Sequence, residues 1–319
     1  MGSLHSVPGN GLAAPPDAPH WVAMQGRNGL NLLAQIVASA LLLSATEVSA
    51  QPTAAAASSD VCDPGPAANA QETAILNTLM VEPRKFASLA DLLKLLPPDA
   101  MAKMATMQKT ATERQVKDWP NLCRYGAENA QVLASGIRPR VIFLGDSITE
   151  NWTIADPSLF STSVLDRGIG GQTTPQILLR FYQDVVALRP RIVHIMAGVN
   201  DIMGNTGPTS DATIVNNIRV MIDVAKANRI RVVLAAMTPS KAFVARPDFN
   251  LVPRITAVNR LLAGLAMEQH VGFVDYAPVL ANAESGLKDA LGNDGLHPNR
   301  DGYALMRPLT EQAIAHAAK

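Results

Sequence analysis

The chain has 319 residues, of which 48% are hydrophobic and 17% charged, with 27 Lys and Arg balancing 27 Asp and Glu. That length and apolar content support a sizeable core in one large domain or two ordinary ones. A net charge of zero gives no electrostatic reason to expect a nucleic acid or an anionic membrane as partner, which leaves soluble globular enzymes and binding domains.

Near the N-terminus Arg27 precedes an apolar run from Leu30 to Leu43, and Val48, Ser49 and Ala50 follow it. A positive segment, an apolar stretch of about fourteen residues and small residues behind it form the pattern a signal peptidase reads. A membrane-spanning helix needs about twenty apolar residues. The pattern predicts a signal peptide starting at Met24 and cleaved after Ala50, with residues 1–23 ahead of the true start. It also predicts a secreted or periplasmic product with no stable membrane insertion after cleavage. A buried core helix is the alternative, opposed by missing caps and by the Ala/Ser-rich tract from Thr53 to Ser59. Residues 51–71 read as a flexible linker.

The two cysteines, Cys62 and Cys123, both lie in the expected mature chain. In an oxidising compartment such a pair most simply forms a disulfide. It would close a loop of about 60 residues, worth roughly 4 kcal/mol at best. Two unpaired buried thiols are the alternative. Two isolated cysteines so far apart make a poor metal site, and neither metal nor cofactor is expected.

Between Glu72 and Glu128 the periodicity is helical. Phe86, Leu89, Leu92, Leu93 and Leu96 recur at helical spacing until Pro97-Pro98 stops them. Met101, Met104 and Met107 form a second stripe, read as core packing ahead of a lipid groove. Residues 72–135 are thus expected to be a helical extension before a domain spanning 136–319.

From Arg140 strands alternate with helices. Apolar runs occur at Val141–Leu144, Ser163–Leu165, Ile192–Ala197, Ile230–Met237 and Val271–Val274. Helical patterns lie between them: Ile177, Leu178, Phe181, Val185 and Leu188, then Ile214, Ile218, Met221 and Ala225, then Ile255, Val258, Leu262 and Leu265. This alternation predicts a parallel sheet covered on both faces. Thr174 followed by Pro175 reads as a helix start with Thr174 as the cap.

Open parallel sheets bind ligands at the carboxyl ends of their strands. After the first run comes Gly145-Asp146-Ser147, after the second Arg167-Gly168-Ile169-Gly170-Gly171, and after the third Gly198-Val199-Asn200-Asp201. Asp294-Gly295-Leu296-His297-Pro298 comes at some distance after the fifth. A serine hydroxyl needs an adjacent base to act as a nucleophile. Imidazole serves, and a carboxylate on its other nitrogen fixes its tautomer. A developing oxyanion needs preorganised donors, for which the amides of Ser147 and Gly171 and the side chain of Asn200 are candidates.

The blocks VIFLGDSITENW, RGIGGQTT, HIMAGVNDI and DGLHPNRDGY resemble, in order, the four diagnostic blocks of the SGNH (GDSL-type) hydrolase family. The resemblance covers about residues 140–315. It implies a three-layer α/β/α flavodoxin-like fold, with Ser147 as nucleophile, Gly171 and Asn200 in the oxyanion hole, and Asp294 and His297 completing a triad. Gly171 is preferred to Gly168 and Gly170 because it directly precedes Gln172-Thr173-Thr174. Within the family the chain is similar to platelet-activating-factor acetylhydrolase-like and carbohydrate-esterase-like members. The segment from Trp119 to Tyr125 looks like a lead-in of that subgroup and receives no role.

The expected activity is hydrolysis of short-chain, acetyl-type esters of a small molecule or glycan. Alternatives are a carbohydrate O-acyltransferase, a lysophospholipase or thioesterase, and a non-enzymatic glycan- or acyl-binding module. Asp146 and Asp201 are read as loop braces, His194 as a core histidine and His270 as a cation suited to a helix C-terminus. His316 is read as solvated, and Trp152 as either a pocket wall or simple packing.

Overall fold

The computed structural model describes residues 116–319 apart from Ala245 and Asp248, together with residues 82, 94, 109 and 113. The expected signal peptide, the linker, the leucine and methionine runs and Cys62 lie outside the described residues. Cys123 is not a free thiol.

Five strands form one sheet: β1 (Val141–Gly145), β2 (Val164–Gly168), β3 (Ile192–Met196), β4 (Arg231–Ala235) and β5 (Gly272–Val274). Their order is β2-β1-β3-β4-β5 and every pairing is parallel. All residues of β1 and β3 are buried. That is why β1 reads as an apolar run and β3 as one interrupted only by His194, since each is covered on both faces.

Among the described residues from Gly126 onward the α-helices are α1 (Gly126–Ser135), α2 (Ser147–Glu150), α3 (Trp152–Ala155), α4 (Thr174–Phe181), α5 (Val199–Met203), α6 (Asp211–Ala227), α7 (Val252–Glu268), α8 (Ala277–Leu280) and α9 (Arg300–Ala317). Helix α6 packs between α4 and α7, while α9 packs with α3 and α8 against β3–β5. Right-handed crossovers put these two groups on opposite faces. The result is the expected three-layer α/β/α fold.

Three sequence expectations need correction or completion. The cap of α4 is Thr173, one residue earlier than expected, with Pro175 inside the first turn. The Gln176 side chain returns to accept from the Thr173 amide at 3.0 Å, which fixes that start. The helical pattern extending to Glu128 is interrupted by turns before α1 begins at Gly126. Helix α9 carries no assignment in the sequence analysis, although Tyr303, Met306, Thr310 and Ile314 give it a buried stripe.

Trp152 is fully buried, with ring centroids 5.5 Å from Phe143 and 5.3 Å from Tyr303. It is core packing and walls no pocket. His194 is also fully buried, its Nε2 lying 3.0 Å from the Tyr276 hydroxyl. Its Nδ1 has no partner, and burial lowers its pKa to about 3, so the ring is neutral.

Candidate active site

The site is assembled at the carboxyl ends of β1, β2 and β3. At the end of β1, Asp146 caps α2 by accepting from the Ile148 amide at 3.0 Å. Ser147 is thereby the first helical residue, directly beyond the strand. Gly145 and Gly168 are in register across β1 and β2. A Cβ on Gly168 would sit 2.2 Å from the Glu150 amide nitrogen and 2.8 Å from the Asp146 carbonyl. Only glycine lets α2 lie this close to the end of β2.

The loop after β2 holds its amides in different states. The Gly170 amide donates to Glu150 Oε2 at 2.8 Å, and the Gln172 amide donates to the Ile169 carbonyl at 3.3 Å. Among the described residues the Gly171 amide, at φ +72°, donates to nothing, nor does the Ser147 amide. Of the three glycines weighed in the sequence, Gly171 is therefore the one with a donor to spare.

After β3, Gly198 adopts φ +125° and starts α5. Asn200 Nδ2 donates to the Gln172 carbonyl at 3.1 Å, and its Oδ1 accepts from Asn205 Nδ2 at 2.9 Å. Those two bonds fix which way the amide faces and leave its second N–H available. Asp201 accepts from the Thr174 amide at 2.8 Å and its hydroxyl at 2.6 Å. Asp146 and Asp201 both act as the braces expected of them.

Asp294 and His297 arrive on a tight turn in which Gly295 has φ +83°. Asp294 Oδ1 accepts from the amides of Leu296 and His297 at 2.9 and 2.8 Å, and Oδ2 lies 2.7 Å from His297 Nδ1. His297 Nε2 lies 2.9 Å from Ser147 Oγ. With Nδ1 protonated toward the carboxylate, Nε2 presents a lone pair to the hydroxyl. The Phe243 ring stands edge-on to the imidazole at 5.9 Å. Ser147, Asp294 and His297 are all buried.

Burial pushes the Asp294 carboxyl up. The His297 ring, its hydrogen bond and the two amides outweigh this and hold the carboxyl below the ordinary aspartate value. Burial pulls His297 down, but the Asp294 charge, their hydrogen bond and Asp146 raise it above its ordinary value. Burial also raises Asp146 to about 6, against the Ile148 amide and His297.

The structure thus brings Ser147, Gly171, Asn200, Asp294 and His297 to one edge. Glu150 and Phe243 adjoin these groups without having been candidates from the sequence, although Glu150 lies inside a quoted block. Among the described residues no group of His, Cys, Asp and Glu has the makings of a metal centre.

A model described as the GDSL-like Lipase/Acylhydrolase family matches residues 143–305, just over half of the chain. The chain belongs to this family. Two solved structures resemble this GDSL-like hydrolase over nearly their whole length. A candidate acylhydrolase from Bacteroides fragilis is 38% identical, covering 63% of this chain and 99% of its own, with a TM-score of 0.60. A GDSL-like lipase from Bacteroides thetaiotaomicron is 36% identical, covering 63% and 100%, with a TM-score of 0.59. A candidate platelet-activating-factor protein from Streptococcus pneumoniae shares the fold at 21% identity and a TM-score of 0.55, covering 66% and 99%. No curated protein matches the chain.

Proposed function

We propose that this GDSL-like hydrolase is a serine esterase that cleaves short-chain, acetyl-type carboxylic esters, with carbohydrate acetates as its substrate class. The observation that carries the proposal is the continuous chain from Ser147 Oγ through His297 to Asp294, at 2.9 and 2.7 Å. Ser147 Oγ attacks the ester carbonyl carbon as its proton passes to His297 Nε2. The bond to the alkoxy oxygen then breaks, and the alcohol leaves with that proton. Water repeats the sequence on the acyl-enzyme and releases the carboxylic acid. Asp294 holds the imidazole in the receiving tautomer and stabilises it once protonated. The amides of Ser147 and Gly171 and the Asn200 side chain stabilise the oxyanion.

The short-chain preference is supported by the polar loops beside the site. Asn205 Nδ2 lies 3.1 Å from the Gly171 carbonyl, and the hydroxyls of Thr173 and Thr206 are 3.0 Å apart. These contacts join two loops of small and polar residues beside the site. Each methylene bound in an apolar groove is worth up to about 0.8 kcal/mol, so kcat/KM without such a groove should fall as the chain lengthens. Export to the periplasm or beyond, and a bridge between Cys62 and Cys123, complete the proposal.

One experiment tests the core of it. A serine-directed phosphonate should label wild-type protein at Ser147 alone, Ser147→Ala should lose nearly all esterase activity while remaining folded, and nitrophenyl esters should be preferred from acetyl to butyryl. Stable labelling at another serine would sink the nucleophile. A maximum at decanoyl or longer would favour a lysophospholipase or thioesterase.

A further inference from the structure

The segment from Trp119 to Tyr125 lies against the loop that carries Gly171. The Trp119 carbonyl accepts from Gln176 Nε2 at 2.9 Å and the Pro120 carbonyl accepts from Gln172 Nε2 at 2.7 Å. The Tyr125 hydroxyl donates to the Gly168 carbonyl at 2.5 Å. Arg124 stacks over the Tyr125 ring at 4.6 Å and reaches Glu150 Oε1 at 3.4 Å. The other oxygen of Glu150 accepts from the Gly170 amide at 2.8 Å. Glu150 is only 2% exposed, and a carboxyl buried so deeply is costly unless its partners are well placed. Here those partners are the amide immediately before Gly171 and the arginine of the strap.

We propose that Glu150 is a positioning residue of the oxyanion hole: through the Gly170 amide, and backed by Arg124 and Tyr125 of the strap, it sets the direction of the Gly171 amide. The proposal rests on the reading of Gly171 as an oxyanion donor. Gly170 engaged and Gly171 free are consecutive amides of one turn, so the acceptor on the first orients the second. On the far side, Asn205 and Asn200 hold the Gly171 and Gln172 carbonyls. The peptide is thus fixed from both ends. A donor aimed at a developing charge acts only through its direction, and an error of about 1 Å can cost on the order of 10²-fold in rate.

The test compares Glu150→Ala, Glu150→Gln and Tyr125→Phe with wild type in the full chain. It reads kcat and KM on nitrophenyl acetate, the affinity for a trifluoromethyl ketone that forms a tetrahedral adduct, and completeness of phosphonate labelling at Ser147. Glu150→Ala should lower kcat about 10- to 100-fold with KM within about threefold, and adduct affinity should fall by the same factor as kcat/KM. Glu150→Gln keeps an acceptor for Gly170 but turns an N–H toward Arg124, so it should fall between wild type and alanine. Unchanged kcat, or a loss confined to KM with adduct affinity intact, overturns the proposal. If the alanine variant does not fold, the glutamine and Tyr125→Phe variants decide it: both should lower kcat and adduct affinity together, and folded variants with wild-type kcat refute it. Complete labelling at Ser147 with unchanged kcat removes only the role of Glu150. Wild type that is not labelled at Ser147 removes the esterase reading and this proposal with it.

Discussion

His297 sits between two opposing influences, burial lowering its pKa and Asp294 raising it, and the second prevails. A general base must be neutral to accept the Ser147 proton. The acid limb of kcat/KM should therefore lie above the 6.5 of an ordinary imidazole, and a measured midpoint near 5 would show that Asp294 does not support the ring. His194 titrates too low to contribute to that limb. Asn200 gives one N–H to Gln172 and keeps the other. Asn200→Ala should lower kcat by about 10²–10³-fold, the usual loss for one oxyanion donor, with KM nearly constant. A change in KM alone would assign Asn200 to substrate binding.

The critical joint among the elements is the contact of α2 with the end of β2. Gly168 faces the backbone of Glu150 and Asp146, and backbone cannot swing aside as a side chain can. Gly168→Ala should push α2 away from β2, carry Ser147 off the His297 nitrogen and lower kcat by on the order of 10²-fold. Gly264 in α7 is the control, since a Cβ there meets nothing within 4 Å. Gly264→Ala should stabilise the fold by about 0.5–1 kcal/mol through helix propensity, with activity unchanged. Chemical denaturation and steady-state kinetics on both variants check the pair. Equal activity in the two would show that the α2–β2 contact does not position Ser147.

For the whole molecule, buried acids make stability and activity diverge with pH. Burial, outweighing Arg124 and the Gly170 amide, raises Glu150 to about 8. Burial, outweighing the Gly168 amide and nearby arginines, raises Asp166 to about 7. A carboxyl whose folded pKa is raised binds its proton more tightly in the native state. Its stabilisation is complete below the unfolded value and is lost as pH rises through the folded one. His297, also raised, loses its contribution in the same direction. His194 opposes this trend only below 6.5, where the unfolded ring takes up a proton. Between pH 6.5 and about 8.5 the melting temperature should therefore fall while esterase activity rises. A melting temperature that climbs over that interval would mean Glu150 and Asp166 are ionised throughout.

The sequence by itself determined the sheet and the family, and it named Ser147, Asp294 and His297 as the candidate reacting groups. Strands β1 and β3 are buried on both faces, so their apolar runs, broken only by His194, are legible without coordinates. Asp294 and His297 pair across a three-residue turn, and Ser147, Gly171 and Asn200 each lie within four residues of a strand end, so local order already places them. Only the tertiary structure could decide what depends on partners distant in sequence. Gly170 is distinguished from Gly171 by the Glu150 carboxyl twenty residues earlier, and Trp152 is shown to be core by Phe143 and Tyr303. The strap from Trp119 to Tyr125 has no periodicity to read, because it acts through the carbonyls of Trp119 and Pro120 and the side chains of Arg124 and Tyr125. Which backbone group a buried side chain meets is set by how strands and helices pack, and residue spacing along the chain does not record it.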